Sequence, residues 1–273
     1  MRIFDILAED HDAPSLKNCA LACSQFTAPC QSHLLARVSL SVRRESSNVQ
    51  KLWRVLKANP TLGAHIKRLQ ISFERSSDYA NPKIPFILAC CTNVTSFKLQ
   101  TLSGDRASPP VWPTSLPRAT LVALESIIYS QNLTRLEIDG FFLPFATFFS
   151  RCSTALTELH LRLFENMDVP VSKDRGVKGS PITLRKLSLP ALIPLPSLLD
   201  AKREDDQPIF DFSQLQDFWG HCNTTKDVQD INTLLARHGA PLKRLRLRFS
   251  GKSPTIHAYI PLTLVWQMLA RQG

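Results

Sequence analysis

The chain has 273 residues and a formal net charge of +10, from 33 Lys and Arg against 23 Asp and Glu, and 44% of it is hydrophobic. That apolar content is enough for a large core and argues against a mainly disordered or fibrous chain. Only 9 glycines against 19 prolines counts against a nucleotide enzyme, because phosphate-cradling loops use glycine where backbone must approach a ligand closely.

Residues 1–60 carry helical spacing, from Ile3, Ile6 and Leu7 through Leu16, Leu21 and Phe26 to Val49, Leu52 and Leu56, and read as a separate helical segment. The opening MRIFDILAEDHDAPSL places acidic residues and a histidine directly after a short apolar run. A secretory signal needs a longer apolar stretch and a small-residue cleavage site, and no window approaches the roughly 18 uninterrupted apolar residues of a membrane span. The expected location is cytoplasmic or nuclear, with no membrane partner. In a reducing compartment the seven scattered cysteines stay thiols. The Asn-x-Thr sequons at Asn93, Asn132 and Asn223 then read as ordinary polar loop residues. Cys19, Cys23, Cys30 and His33 could supply four zinc ligands, but their C-x3-C-x6-C-x2-H spacing is not a common zinc pattern. The cysteines read as small buried apolar residues, and no metal or cofactor is assigned.

The stretch from Ile3 to Leu40 resembles the F-box motif as found ahead of repeat domains in fungal F-box-like proteins. Ile3, Phe4, Ile6 and Leu7 match its first helix, and Leu16, Cys19, Leu21, Cys23 and Phe26 its second. His33 and Leu34 follow, then an exit strand with Val38 and Leu40. The family's Leu-Pro ahead of the first helix has no counterpart, and its usual aromatic, commonly Trp, is Phe26. The resemblance implies that Ile3, Ile6, Leu7, Leu16, Leu21 and Phe26 bind a Skp-type adaptor and, through it, a cullin-RING ubiquitin ligase.

Residues 61–273 form the second expected domain. Seven segments there share the form apolar-x-x-apolar-x-apolar, with middle apolar marks at Leu69, Phe97, Leu136, Leu159, Leu187, Phe218 and Leu245. The sixth, LQDFWG, is imperfect because Gly220 stands at its last apolar position. Steps between marks are 28, 39, 23, 28, 31 and 27 residues, the range in which self-similarity signals a solenoid. The alternation at each mark is that of a half-buried strand. Between segments, Leu121, Leu124, Ile127 and Ile128 mark one helical face, and Val228, Ile231, Leu234 and Leu235 another, closed by Gly239.

Over roughly residues 61–250 this pattern resembles the leucine-rich-repeat family, which implies an α/β fold: an irregular solenoid with a curved, mainly parallel sheet. The family usually places Asn or Cys three residues after the final leucine. Here those positions hold Glu74, Leu102, Phe141, Phe164, Leu192 and Ser250, and only the sixth unit has Asn223. The remaining alternative is a Leu-rich α/β domain in which the matches arise by chance.

No catalytic motif emerges. Gly251-Lys252-Ser253 ends like a P-loop, but Arg246 stands where its first glycine belongs, and no nucleophile elbow or His-Glu-x-x-His run occurs. The expected partner surface is the concave sheet face, carrying Arg135, Glu137, Asp139, Glu158, His160, Arg162, Trp219, Arg244, Arg246 and Arg248. The three last arginines alternate with Leu245, Leu247 and Phe249 and form a cationic stripe that reads as a solvated strand face in preference to a nucleic-acid site. The expected function is non-catalytic protein interaction, as a ligase substrate receptor with an unidentified substrate. The alternatives are a repeat scaffold without a ligase role and, less favoured, a basic nucleic-acid-binding module.

Overall fold

A computed structural model of the chain describes residues 12–42, 47–101, 112, 114–162, 180–189, 195–203, 205–222, 224–239 and 241–249. It has α/β architecture, in two compact units, Met1–Phe141 and Phe142–Gly273. This division falls inside the expected repeat domain, and the expected N-terminal segment contributes a strand to the first unit.

The first unit opens with helices α1 (Ala13–Ala22) and α2 (Ser24–Leu35). Asp12 caps α1 by accepting from the Ser15 backbone N–H at 3.0 Å, satisfying one of the donors a helix start leaves unpaired. Leu16 and Cys30 form a small core between the helices, with Cys19, Ala20 and Leu34 against it. The F-box resemblance implied one helix from Leu16 to Phe26. The chain instead breaks at Cys23, whose backbone is extended (φ −151°, ψ 132°). The break is stabilised locally, because the Thr27 hydroxyl donates to the Ala20 carbonyl near the end of α1 at 3.0 Å.

Strand β1 (Arg37–Val42) follows, then α3 (Ser47–Ala58), which buries Val49, Leu52 and Leu56 at helical spacing. A 3-10 turn at Pro60–His65 then leads to β2 (Arg68–Phe73). Its Gly63 is required by space, since a Cβ there would lie 2.2 Å from the Cys90 carbonyl oxygen. Helix α4 (Lys83–Cys90), β3 (Ser96–Thr101), α5 (Arg118–Ile128) and β4 (Arg135–Asp139) complete the unit. Strands β1 to β4 are parallel neighbours, as the intervening crossover helices require. Leu69, Phe97 and Leu136 stand in one register row. All three are buried, each contributing about 1.5–3 kcal/mol by removal from water. Gly140, directly after β4, takes φ +81°, a conformation glycine adopts without Cβ strain.

The second unit begins with α6 (Phe145–Ser150) and β5 (Glu158–Arg162). Short β6 (Ile182–Thr183) is followed by β7 (Lys186–Leu189), α7 (Leu195–Leu199) and short β8 (Phe210–Asp211). Then come β9 (Asp217–Cys222), α8 (Thr225–His238) and β10 (Arg244–Phe249). Strands β5, β7, β9 and β10 are parallel neighbours with Leu159, Leu187, Phe218 and Leu245 in one buried row, while β6 and β8 form a separate parallel pair. Helix α8 starts with a reciprocal cap. Thr224 Oγ1 accepts from the Asp227 N–H at 3.2 Å, and Asp227 Oδ2 from the Thr224 N–H at 2.8 Å. Gly239 closes it in the right-handed conformation (φ −75°), its N–H donating to the Leu235 carbonyl. Gly220 explains the imperfect sixth segment: a Cβ there would meet the Phe218 ring at 2.9 Å and Ile231 of α8 at 3.3 Å. The strand and helix pack too closely for a larger residue.

One backbone device recurs at the strand heads. In the first unit the carbonyl of Ala36 accepts from Lys67 and Arg68, that of Lys67 from Thr95 and Ser96, and that of Thr95 from Thr134 and Arg135. In the second, Thr157 accepts from Arg185 and Lys186, Arg185 from Gln216 and Asp217, and Gln216 from Lys243 and Arg244. Two of the sequon asparagines reinforce the stacking, Asn93 Nδ2 donating to the Ala64 carbonyl at 3.2 Å and Asn132 Nδ2 to the Thr92 carbonyl at 3.4 Å. They are structural ties between successive turns. At the Glu74 position, where the repeat family usually has Asn or Cys, buried Asp78 closes the turn by accepting from the Glu74 and Arg75 N–H groups at 3.3 and 2.9 Å.

Candidate functional site

Because successive side chains of a strand point to opposite faces, burying the register marks leaves the residues between them on a polar face. In the second unit pairing arranges these residues in rows. Glu158, Lys186, Asp217 and Arg244 form the first row. His160, Ser188, Trp219 and Arg246 form the second. His221 and Arg248 begin a third.

The first row alternates acid and base, and its charges are spent internally. Lys186 Nζ lies 2.5 Å from Glu158 Oε1. Arg244 meets Asp217 through two hydrogen bonds at 2.6 and 2.5 Å, the fork geometry that gives charge-assisted pairs their strength. The second row runs from imidazole through a buried hydroxyl and a half-buried indole to an exposed guanidinium. Between the two rows lies an open recess of about 210 Å³, lined by His160, Lys186, Trp219 and Arg246 among others. In the third row, burial and then the guanidinium of Arg248 hold the His221 pKa below its usual value, with Asp227 opposing.

The expected partner residues therefore separate. His160, Trp219, Arg244 and Arg246 converge on the recess. Glu158 braces one of its walls, Arg162 is exposed at the end of β5, and Arg248 flanks the recess along β10. Arg135, Glu137 and Asp139 lie on β4 in the first unit. There Glu137 takes an ion pair from Lys98 at 2.5 Å and a longer one from Arg135 at 3.7 Å. Sequence reasoning misses Ser188 and His221 as site residues, although their place between apolar strand positions is a usable signal.

Of the expected adaptor residues, Ile3, Ile6 and Leu7 lie outside the described residues. Leu16 is consumed by the α1–α2 core, whereas Leu21 is 86% exposed and Phe26 41%. Phe164, Leu102, Leu192, Asn223, Ser250 and the Gly251-Lys252-Ser253 run also lie outside the described residues.

No family model, curated protein or solved structure matches the chain. The roles of these residues rest on their geometry. Among the described residues no three His, Cys, Asp or Glu side chains are grouped to hold a metal ion. Among them also, no helix is long and apolar enough to cross a membrane. The recess offers an aromatic face, a guanidinium and ion-paired walls, a combination suited to holding a side chain of another molecule.

Proposed function

We propose that the chain is a non-catalytic protein-interaction module, an irregular leucine-rich-repeat solenoid with the organisation of a ubiquitin-ligase substrate receptor. Its N-terminal helices engage a Skp-type adaptor and its repeat sheet holds a protein substrate. The observation that carries this reading is the recess around Trp219, since a half-buried tryptophan beside arginines is the composition of interface anchors. The recurring two-donor carbonyl at the strand heads supports the repeat assignment. Exposed Leu21 and Phe26 support the adaptor surface. The ion pairing of Arg244 favours protein over nucleic acid, because it removes one of three cations from the expected stripe.

The test is binding of the purified chain to a Skp-type adaptor by calorimetry. A complex lost on Leu21→Glu with Phe26→Glu is expected. Absence of a complex with the unsubstituted chain removes the ligase role and leaves the repeat scaffold.

A further inference from the structure

The second and third rows of this face differ from the first in the state of their cations. Lys186 and Arg244 are neutralised by Glu158 and Asp217, whereas Arg246 and Arg248 are exposed and, among the described residues, make no ion pair. Burial and the Arg248 guanidinium both disfavour a charge on His221 beside them, with Asp227 opposing. Among the described residues of β7, β9 and β10, the charge left without an ion pair on this face is therefore two guanidinium groups two residues apart on β10, one of them in register with Trp219.

Two residues of extended chain span about 6.6–7 Å. Carboxylates at alternate positions of an extended peptide repeat at that distance, and an apolar side chain of the same peptide could pack against the indole. At about 210 Å³ the recess is smaller than a drug-sized site of roughly 300–1,000 Å³, which suits a single inserted side chain. A nucleic-acid backbone fits less well, because duplex binding draws on many phosphate contacts and the ion pairs of Lys186 and Arg244 leave few cations on these strands to supply them.

We infer that the recess binds an extended acidic peptide segment of a partner protein, whose alternate carboxylates meet Arg246 and Arg248 while a neighbouring apolar side chain rests on Trp219. This deepens the proposed function and rests on its reading of the sheet face as the protein-binding surface.

The experiment uses the full chain and fluorescence anisotropy with a labelled peptide of roughly ten residues, carrying glutamate at alternate positions around one phenylalanine. A glutamine counterpart and a labelled DNA duplex serve as comparison probes. The expected result is preference for the glutamate peptide, weakened roughly tenfold or more by Arg246→Gln with Arg248→Gln and by Trp219→Ala. Arg246→Lys with Arg248→Lys should restore part of the affinity, which separates charge from fold, and circular dichroism of each variant checks folding. Equal binding of the glutamate and glutamine peptides, still lost on Trp219→Ala, overturns the acidic assignment while the face remains a peptide-binding surface. Binding that none of the substitutions affects, or no binding, overturns the recess as the peptide site; adaptor capture through α1 and α2 is scored separately. Tighter binding of the duplex than of either peptide overturns the inference in favour of nucleic acid.

Discussion

Arg244 of β10 grips Asp217 of β9 through two parallel hydrogen bonds, Nε to Oδ1 at 2.6 Å and a terminal nitrogen to Oδ2 at 2.5 Å. The two residues are direct register partners, so the strand pairing itself sets the distance between their Cα atoms. The pair is also half open to water, with side chains 50% and 20% exposed. Exposure keeps its energy modest, while the fork geometry places it towards the upper end for surface pairs.

A double-mutant cycle of Asp217→Ala and Arg244→Ala, read by urea unfolding, should therefore give a coupling of about 0.5–1 kcal/mol that shrinks in concentrated salt. A coupling indistinguishable from zero at low salt would mean that the pair contributes no stability.

The register rows make a graded prediction about the core. Leu136 and Leu159 are both fully buried at middle marks, so truncating either to alanine should cost about 2–5 kcal/mol. Val122 is 57% exposed on α5, and Val122→Ala should stay within about 0.5 kcal/mol. Thermal melts of the three variants test the ordering, and similar melting shifts for all three would contradict the assigned faces.

Burial also sets thiol reactivity. It pushes the Cys91 thiol up to about 12 and Cys222 to about 11, and raises that of Cys152 as well. Cys19 and Cys23 are only partly buried. Maleimide labelling at neutral pH, mapped by mass spectrometry, should modify Cys19 and Cys23 first and reach Cys91, Cys152 and Cys222 only when denaturant is added. Early labelling of Cys152 in the native chain would refute its placement.

His221 makes stability depend on pH. Burial first, and then Arg248, lower its folded-state pKa below the usual 6.5. The unfolded chain consequently takes up the proton before the folded one does. This contribution is complete above the usual imidazole value and declines as the pH falls below 6.5 towards the folded pKa. Arg248→Gln removes one cause of the lowering, so the His221 resonance should titrate at higher pH by NMR; an unchanged titration would show that Arg248 exerts no influence on it.

Much of the strand order is legible in the amino-acid sequence, because a half-buried strand must alternate and Leu69, Phe97, Leu136, Leu159, Leu187, Phe218 and Leu245 mark that alternation in the chain. Their pairing into two sets of parallel strands follows from the helical spacing between them, with Leu124, Ile127 and Ile128 of α5 and Ile231, Leu234 and Leu235 of α8 buried as that spacing implies. The polar face is legible for the same reason, since burying one side of a strand exposes the other. The break at Cys23 is not, because helical spacing persists through a short interruption and the capping hydroxyl of Thr27 comes from the next helix. Nor is the fate of individual charges. Asp217 and Arg244 are 27 residues apart in the chain, and only the pairing of β9 with β10 puts them in contact while leaving Arg246 and Arg248 without an ion pair among the described residues. Periodicity along a chain specifies which face a residue occupies, whereas an ion pair or a recess depends on register between strands, a distance that one strand's sequence does not contain.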